Sequence, residues 1–512
     1  MGQDDGPEFK KLGMCGTGSM GGMMSLLYAE HGVEVFYYDP NGDNVKKLEQ
    51  EAIDTGLDKH IHAQKDYQEM CHSLKSGQDP KLFVFSIPHG GAGDAVLKDL
   101  RPHLERGDII LDCSNEYWKF TERRQRELEP HGIHYIGCGV SGGYQSARHG
   151  PSLSPGGNAE VLKKVIPFLQ RVAAKDKQGR ACTTPIGPRG SGHYVKMIHN
   201  GIEQGMMSAI AEVWFIMNKC LHMKYEEIAD VFESWNKDGP LRDNFLVSIG
   251  ADISRTKKDD GTFVLSEVLD KVVQDADGSE GTGIWTNEEA IRLHVPTPTI
   301  TTAHLFRCAS ADAASRLAVN KTFGGGVAGP SSIELRSSLP AFIEDLKLAL
   351  YAALLCSFIQ GLHVLKKMDR QEDWHLNYRK ILQIWRGGCI IQSDHISDVL
   401  DSVHTREDHD GENLLANREI VEELTKSLPS LKKVVLKSVE VDTYVPSLSA
   451  TLEYCKYSSS TMLPTQFMEA ELDYFGEHNY ETWDEGPGKP VKGPHHFEWK
   501  RATGLVDEKK GQ

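Results

Sequence analysis

K-L-G-M-C-G-T-G-S-M-G, from Lys11 to Gly21, decides how the chain is read. Lys11 to Cys15 is a short apolar strand running straight into a glycine loop, and helical spacing follows as far as His31. Gly32 ends that helix. Residues 33–38 (V-E-V-F-Y-Y) are then a second strand that terminates at Asp39, roughly twenty residues beyond the glycines. Strand, glycine loop, helix, strand and acid in this order are the dinucleotide-binding fingerprint, a far stronger signal than glycines alone. Gly16 permits the tight turn, Gly18 lets backbone approach a pyrophosphate, and Gly21 lets helix and strand close up. Ser19 and Met20 open the helix whose N-terminus favours the anion. Asp39 favours NAD over NADP, because a carboxylate accepts from ribose hydroxyls and repels a 2′-phosphate. The nearest cations, Lys46 and Lys47, read as plain helix surface.

Outward from this unit, further apolar strands stand at residues 82–87 (L-F-V-F-S-I), 108–112 (D-I-I-L-D) and 134–139 (H-Y-I-G-C-G). Near-continuous apolar strands alternating with helical segments imply a parallel, doubly wound α/β sheet of Rossmann type. Ligands bind such sheets beyond the carboxyl ends of the strands, where Asn115 and Ser141-Gly142-Gly143 fall. Asn115 reads equally as a group in the crevice or as a cap on the next helix. The Ser141-Gly142-Gly143 turn exposes successive N–H groups, which suits a carboxylate or a phosphate.

A Pro- and Gly-rich loop at residues 184–192 marks the first boundary. The expected division is a dinucleotide-binding domain over 1–189, an all-helical domain over 190–460 and an extended C-terminal tail over 461–512. Helical spacing covers 206–221, 225–235, 264–275, 301–318, 341–368, 378–384, 413–440 and 443–456. Residues 323–330 (F-G-G-G-V-A-G-P) read as a surface loop, and 281–286 (G-T-G-I-W-T) and 385–391 (W-R-G-G-C-I-I) as glycine turns with aromatic anchors. The polar, Gly- and Pro-rich tail is expected to lie on another subunit.

Composition narrows the partners. A net charge of -16 over 512 residues argues against nucleic acid and anionic membranes. Ten cysteines without a C-x-x-C pair read as reduced thiols, hence a cytoplasmic protein. The most apolar run, from Leu348, meets Gln360 and His363 too early to span a bilayer and reads as a buried helix. His495, His496 and Glu498, and His404 with Asp408, His409 and Asp410, hold metal-ligand residue types without a closed zinc spacing, and no metal is expected.

The chemistry concentrates in G-S-G-H-Y-V-K-M-I-H-N-G-I-E, residues 190–203. Lys196, His199, Asn200 and Glu203 sit at i, i+3, i+4 and i+7, so a helix turns them to one side, beside an apolar stripe through Val195, Ile198 and Ile202. The amine and the carboxylate are separated by about 10 Å of rise, too far for a simple surface pair and suited to bracketing a small molecule. By itself the stripe reads more readily as a solvated polar face.

Together with the glycine loop, V-S-G-G-Y-Q-S-A-R-H-G-P-S-L-S-P-G-G (140–157), this helix, G-T-G-I-W-T, W-R-G-G-C-I-I and D-Y-F-G-E-H (473–478), the chain resembles the decarboxylating 6-phosphogluconate dehydrogenase family over nearly its full length. The resemblance implies a homodimer whose tails enter the partner subunit. It implies Lys196 as the base that takes the 3-hydroxyl proton and Glu203 as the acid that protonates the enediol. It places Asn115, Ser141, Gly142, Gly143, His199, Asn200, Thr282, Arg307 and His478 around the sugar acid, with Asn115 near the nicotinamide. A lysine base requires a lowered pKa. NADP is usual in the family, against the NAD that Asp39 suggests. Three positions where the family grips the sugar phosphate depart from its pattern: Gln204 stands for Tyr, Glu280 for Lys and Leu472 for Arg. Losing such contacts weakens phosphate binding by several kcal/mol if each is worth about 1.5–3. Lys321 or Arg316 would have to supply replacement cations. Other readings are an NAD-dependent dehydrogenase of a related 3-hydroxy sugar acid lacking phosphate, and a catalytically idle dinucleotide-binding relative.

Overall fold

The computed structural model describes residues 9–75, 80–274, 281–326, 329–335, 338–404, 413–486, 488 and 491–500. Its first part is a seven-stranded sheet, β1 (Lys11–Cys15), β2 (Glu34–Tyr38), β3 (Ile61–Ala63), β4 (Leu82–Phe85), β5 (Ile109–Asp112), β6 (His134–Ser141) and β7 (Ser152–Gly156), in the order β3-β2-β1-β4-β5-β6-β7. Strands β1 to β6 run parallel in the doubly wound order, with the topological switch between β1 and β4. Helices α1 (Ser19–Glu30), α2 (Gly42–Thr55), α3 (Tyr67–Leu74), α4 (Gly91–Leu100), α5 (Trp118–Leu128), α6 (Gly143–His149) and α7 (Ala159–Val172) accompany the strands. Two apolar cores lie against the sheet, one around Met14, Val35 and Leu111 and one around Phe83, Phe85 and Ile110.

Two strands escaped the sequence reading. The S-L-S-P-G stretch is β7, antiparallel to β6, so the sheet is not wholly parallel. Its Pro155 is tolerated because β7 is an edge strand. Strand β3 is only three residues long, too short for a periodic pattern to show.

The second part is helical: α8 (Ser191–Phe215), α9 (Tyr225–Lys237), α10 (Phe245–Arg255), α11 (Thr282–Arg292), α12 (Pro298–Ala311), α13 (Ala313–Thr322), α14 (Leu339–Glu372), α15 (Tyr378–Ile384), α16 (Asp394–Val403), α17 (Arg418–Glu440), α18 (Pro446–Ser459) and α19 (Thr465–Gly476). Of the helix expected at 264–275, the described residues 264–274 form only a short 3-10 turn, Val264–Glu267. Its apolar spacing is real, but Val268 and Leu269 are exposed, and an amphipathic stripe without a packing partner does not hold a helix. The expected 301–318 helix divides at Asp312, whose carboxylate caps α13 at Ser315 N. The expected glycine turn at 281–286 is instead the first turn of α11. Helix α14 is long and apolar enough to cross a membrane, yet 89% of its most apolar window is buried.

The chain divides into two compact units, residues 1–452 and 453–512. In the second, Asp473 of α19 is wholly buried and accepts from Asn479 N, Phe497 N and Trp499 Nε1 while pairing with His496. His496 is thereby raised above its ordinary pKa, and His495 pairs separately with Glu485. The two histidines thus serve different carboxylates. Asp408, His409 and Asp410 lie outside the described residues; His404 Nδ1 contacts Leu400 O.

Candidate active site

The carboxyl ends of β1, β4, β5 and β6 open on a cleft of about 510 Å³ that α8, α11 and α12 close from the other side. The glycine loop forms one end. Gly16 has φ +89, and a Cβ there would fall 2.4 Å from Ser86 O. At Gly18, N-terminal to α1, a Cβ would meet nothing within 4 Å, leaving room for backbone to meet a phosphate. Asp39 stands behind this loop and locks it: Oδ2 accepts from Thr17 N (2.7 Å), Thr17 Oγ1 (3.2 Å) and Asn44 Nδ2 (3.0 Å), and Oδ1 accepts from Asn41 N (2.8 Å). Burial pushes its pKa up, but these hydrogen bonds outweigh burial and hold it below the usual value. Lys46 and Lys47 are surface groups paired with Asp43 and Glu51.

Helix α8 is held against the sheet by a small set of contacts. His193, buried, places Nδ1 2.7 Å from Thr121 Oγ1 and Nε2 3.0 Å from Asp112 O. Ser154 Oγ of β7 donates to Gly192 O at 3.1 Å. One turn on, Lys196 lies directly over Gly139 of β6, where a Cβ would come within 2.3 Å of Lys196 Cβ. The absent side chain is what lets the lysine reach the cleft while remaining 7% exposed.

Glu203, 24% exposed, faces the same cleft two turns along. Between them, His199 Nδ1 lies 3.0 Å from Asn200 Oδ1, and Asn200 Nδ2 donates to Thr282 Oγ1 at 2.9 Å, tying α8 to the first residue of α11. His199 is completely buried; burial and the nearby Lys196 charge hold it well below its ordinary pKa, so it is neutral at pH 7. Its 3.7 Å separation from Glu203 is therefore not an ion pair at that pH.

Of the residues singled out in the sequence, Gly18, Ser19, Met20, Asn115, Gly142, Gly143, Lys196, Asn200, Glu203, Thr282 and Arg307 line this cleft. Gly16, Gly21, Ser141 and His199 form its support, and Asp39 acts from behind the glycine loop. Asn115 does not cap α5, which begins at Trp118 without a side-chain cap. His478 belongs to the second unit, against the Phe475 ring.

The departures from the family pattern also resolve. Gln204 lines the cleft and its Oε1 lies 3.1 Å from His304 Nδ1. Leu472 lies in α19, and Glu280 is outside the described residues. Neither Arg316 nor Lys321 lines the cleft. Arg316 pairs with Asp270 at 3.1 Å on the surface, and Lys321 is exposed, because α13 turns outward after Asp312. Sequence reasoning missed the loop after β4, Ser86 to His89, together with Gln274 and Ile390. The P-H-G-G-A-G run at 88–93 after an apolar strand was the available signal for that loop.

Two family models match the chain: the NAD-binding domain of 6-phosphogluconate dehydrogenase over residues 11–187, and the 6-phosphogluconate dehydrogenase C-terminal domain over residues 192–499. Among curated relatives, a decarboxylating 6-phosphogluconate dehydrogenase from Emericella nidulans is 46% identical, with 94% of this chain and 100% of that protein covered. An NADP(+)-dependent, decarboxylating 6-phosphogluconate dehydrogenase from Bacillus subtilis is 36% identical, with 96% and 99% covered. The solved Plasmodium falciparum 6-phosphogluconate dehydrogenase, described in its apo form and with NADP+ or 6-phosphogluconate, superposes with a TM-score of 0.83 at 31% identity, covering 96% of this chain and 100% of that one.

Proposed function

The chain belongs to the 6-phosphogluconate dehydrogenase family, and on that premise we propose how its cleft performs the family's reaction. It is an oxidoreductase that converts 6-phosphogluconate to ribulose 5-phosphate and carbon dioxide, with hydride passing to NAD(P). The bound dinucleotide supplies the hydride acceptor. In the proposed sequence, Lys196 Nζ takes the proton of the 3-hydroxyl as the C3 hydride leaves, giving a 3-keto acid. The C1–C2 bond then breaks, carbon dioxide departs, and the electron pair becomes the C2–C3 double bond of an enediol as the Lys196 ammonium returns its proton to O3. Glu203 delivers a proton to substrate C2, which becomes C1 of the product, while Lys196 takes the O3 proton back, and ribulose 5-phosphate results. A lysine in this role must give up its charge before it can take the proton, and Lys196 is 7% exposed at the cleft wall.

Asn200 lies between base and acid and can hold a hydroxyl without adding charge, with neutral His199 behind it on Asn200 Oδ1. Thr282 and the Ser141-Gly142-Gly143 turn supply donors for the sugar acid, and Arg307 is the cation offered to the phosphate. One observation carries this assignment: Lys196 and Glu203, seven residues apart on α8, face one cleft that begins at the glycine loop. Replacing Lys196 by Met should abolish NAD(P)H formation from 6-phosphogluconate while leaving dinucleotide binding intact. Retained turnover would remove Lys196 as the base.

We infer further that NAD is preferred. Asp39 is ionised, its described partners are neutral, and Oδ1 carries only one of its four hydrogen bonds, which leaves it an acceptor for a ribose hydroxyl. A homodimer is inferred from the exposed Ile291, Leu305, Phe306 and Phe323, with the Phe467, Phe475 and Trp483 surface of the second unit seated on the partner subunit. A cytoplasmic location is supported by ten cysteines that form no disulfide, nine of them buried.

A further inference from the structure

A buried charged cluster lies behind the cleft wall, outside the groups assigned to the reaction. Arg124 of α5 is fully buried and reaches Glu116 (2.6 Å), Asp94 (3.0 Å) and Gly90 O (2.7 Å). Both oxygens of Glu116 accept from Gly90 N, at 3.1 and 3.0 Å, and Oε1 also accepts from Tyr117 N at 2.8 Å. Gly90 is therefore gripped at its N–H by Glu116 and at its C=O by Arg124. It immediately follows His89, which lines the cleft, and Glu116 immediately follows Asn115, which lines it on the loop after the neighbouring strand. With Glu116 turned inward, the chain presents Asn115 outward. His89 in turn meets the Trp285 ring edge-on at 5.2 Å, on the helix that carries Thr282.

We propose that Glu116 and Arg124 are positioning residues for hydride transfer, an ion pair that holds the His89–Gly90 loop in register with Asn115 across the nicotinamide end of the cleft. The proposal rests on the reading of the cleft given above. An ion pair at this depth adds little net stability, since desolvation offsets much of its attraction, whereas its directional bonds define where a backbone must lie. Hydride transfer is sensitive to such placement, because a displacement of about 1 Å costs on the order of a hundredfold in rate.

The test uses the full chain with Glu116→Gln and, separately, Gly90→Ala. Gly90 has φ +76, and a Cβ there would meet no atom within 4 Å, so alanine strains the loop backbone while leaving the ion pair and all packing untouched. In both variants kcat for 6-phosphogluconate should fall about tenfold to a hundredfold. The primary deuterium isotope effect with substrate labelled at C3 should rise above the parent's, with dinucleotide affinity little changed because the glycine loop is untouched. A purely structural role would lower thermal stability and leave the isotope effect where it was. Folded variants with the parent's kcat and isotope effect overturn the proposal; if Glu116→Gln fails to fold, Gly90→Ala decides it alone. Failure of the underlying reading shows separately, as a parent chain that does not oxidise 6-phosphogluconate or a Lys196→Met variant that still does.

Discussion

Gly139→Ala is the most direct probe of how the fold places Lys196, the proposed base. The added methyl would stand 2.3 Å from Lys196 Cβ and 2.5 Å from Ser154 Oγ, and ordinary contact begins near 3.4 Å. Strand β6 and helix α8 must therefore separate by about 1 Å, because neither obstacle is the far end of a flexible chain. Overpacking of this kind costs about 1–3 kcal/mol of stability. If Lys196 is the base proposed above, the same displacement moves it out of reach of the hydroxyl and should lower kcat about tenfold to a hundredfold. Steady-state kinetics with 6-phosphogluconate, beside thermal melts, separates the two effects. Gly250→Ala serves as the control: its methyl would press on the Phe232 ring at 3.1 Å, on helices that do not line the cleft, so stability should fall with kcat preserved. A folded Gly139→Ala enzyme with parental kcat would refute the idea that the glycine notch sets the position of the base.

Replacing Asp39 by Asn removes the charge proposed to meet the adenosine ribose and should shift the NAD-to-NADP ratio of kcat/KM toward NADP by about 1.4–2.8 kcal/mol, or roughly tenfold to a hundredfold. An unchanged ratio would show that Asp39 only locks the glycine loop. Arg307→Met should raise KM for 6-phosphogluconate at least about tenfold, the loss of one charge-assisted contact, while turnover of unphosphorylated gluconate stays as it was. Equal losses on both substrates would take Arg307 away from the phosphate. Glu212 is buried and accepts from Ser447 N and Leu448 N at the start of α18; burial raises its pKa to about 7 despite those bonds. Its folded pKa exceeds its unfolded value, so the folded chain holds the proton more tightly and its stability relative to Glu212→Gln should fall as pH rises from about 4.5 to 7, by roughly 2–4 kcal/mol. Parallel melting curves for the two proteins at pH 5 and pH 8 would contradict this.

Local signals carried much of the reading. The glycine fingerprint needs only residues near one another in the chain, and so does the spacing that puts Lys196, Asn200 and Glu203 on one side of α8. Signals that depend on what lies opposite were not legible. The 264–275 stretch has the period of a helix and lacks a surface to pack on. Strand β7 is defined by its pairing with β6, and Asn115 looked as much like a cap as a cleft residue until α5 was seen to start at Trp118.

By itself the sequence determined the dinucleotide-binding loop and put Lys196, Asn200 and Glu203 on one side of a helix, because backbone periodicity and glycine turns are short-range properties of the chain. Tertiary structure alone decided that Gly139 admits Lys196 to the cleft, that Gln204 pairs with His304, and that Glu116 and Arg124 close on Gly90. Those facts join residues that lie far apart in the chain, or pairs whose partner only packing selects. The energies that bring them together are packing and desolvation terms with no signature in local sequence.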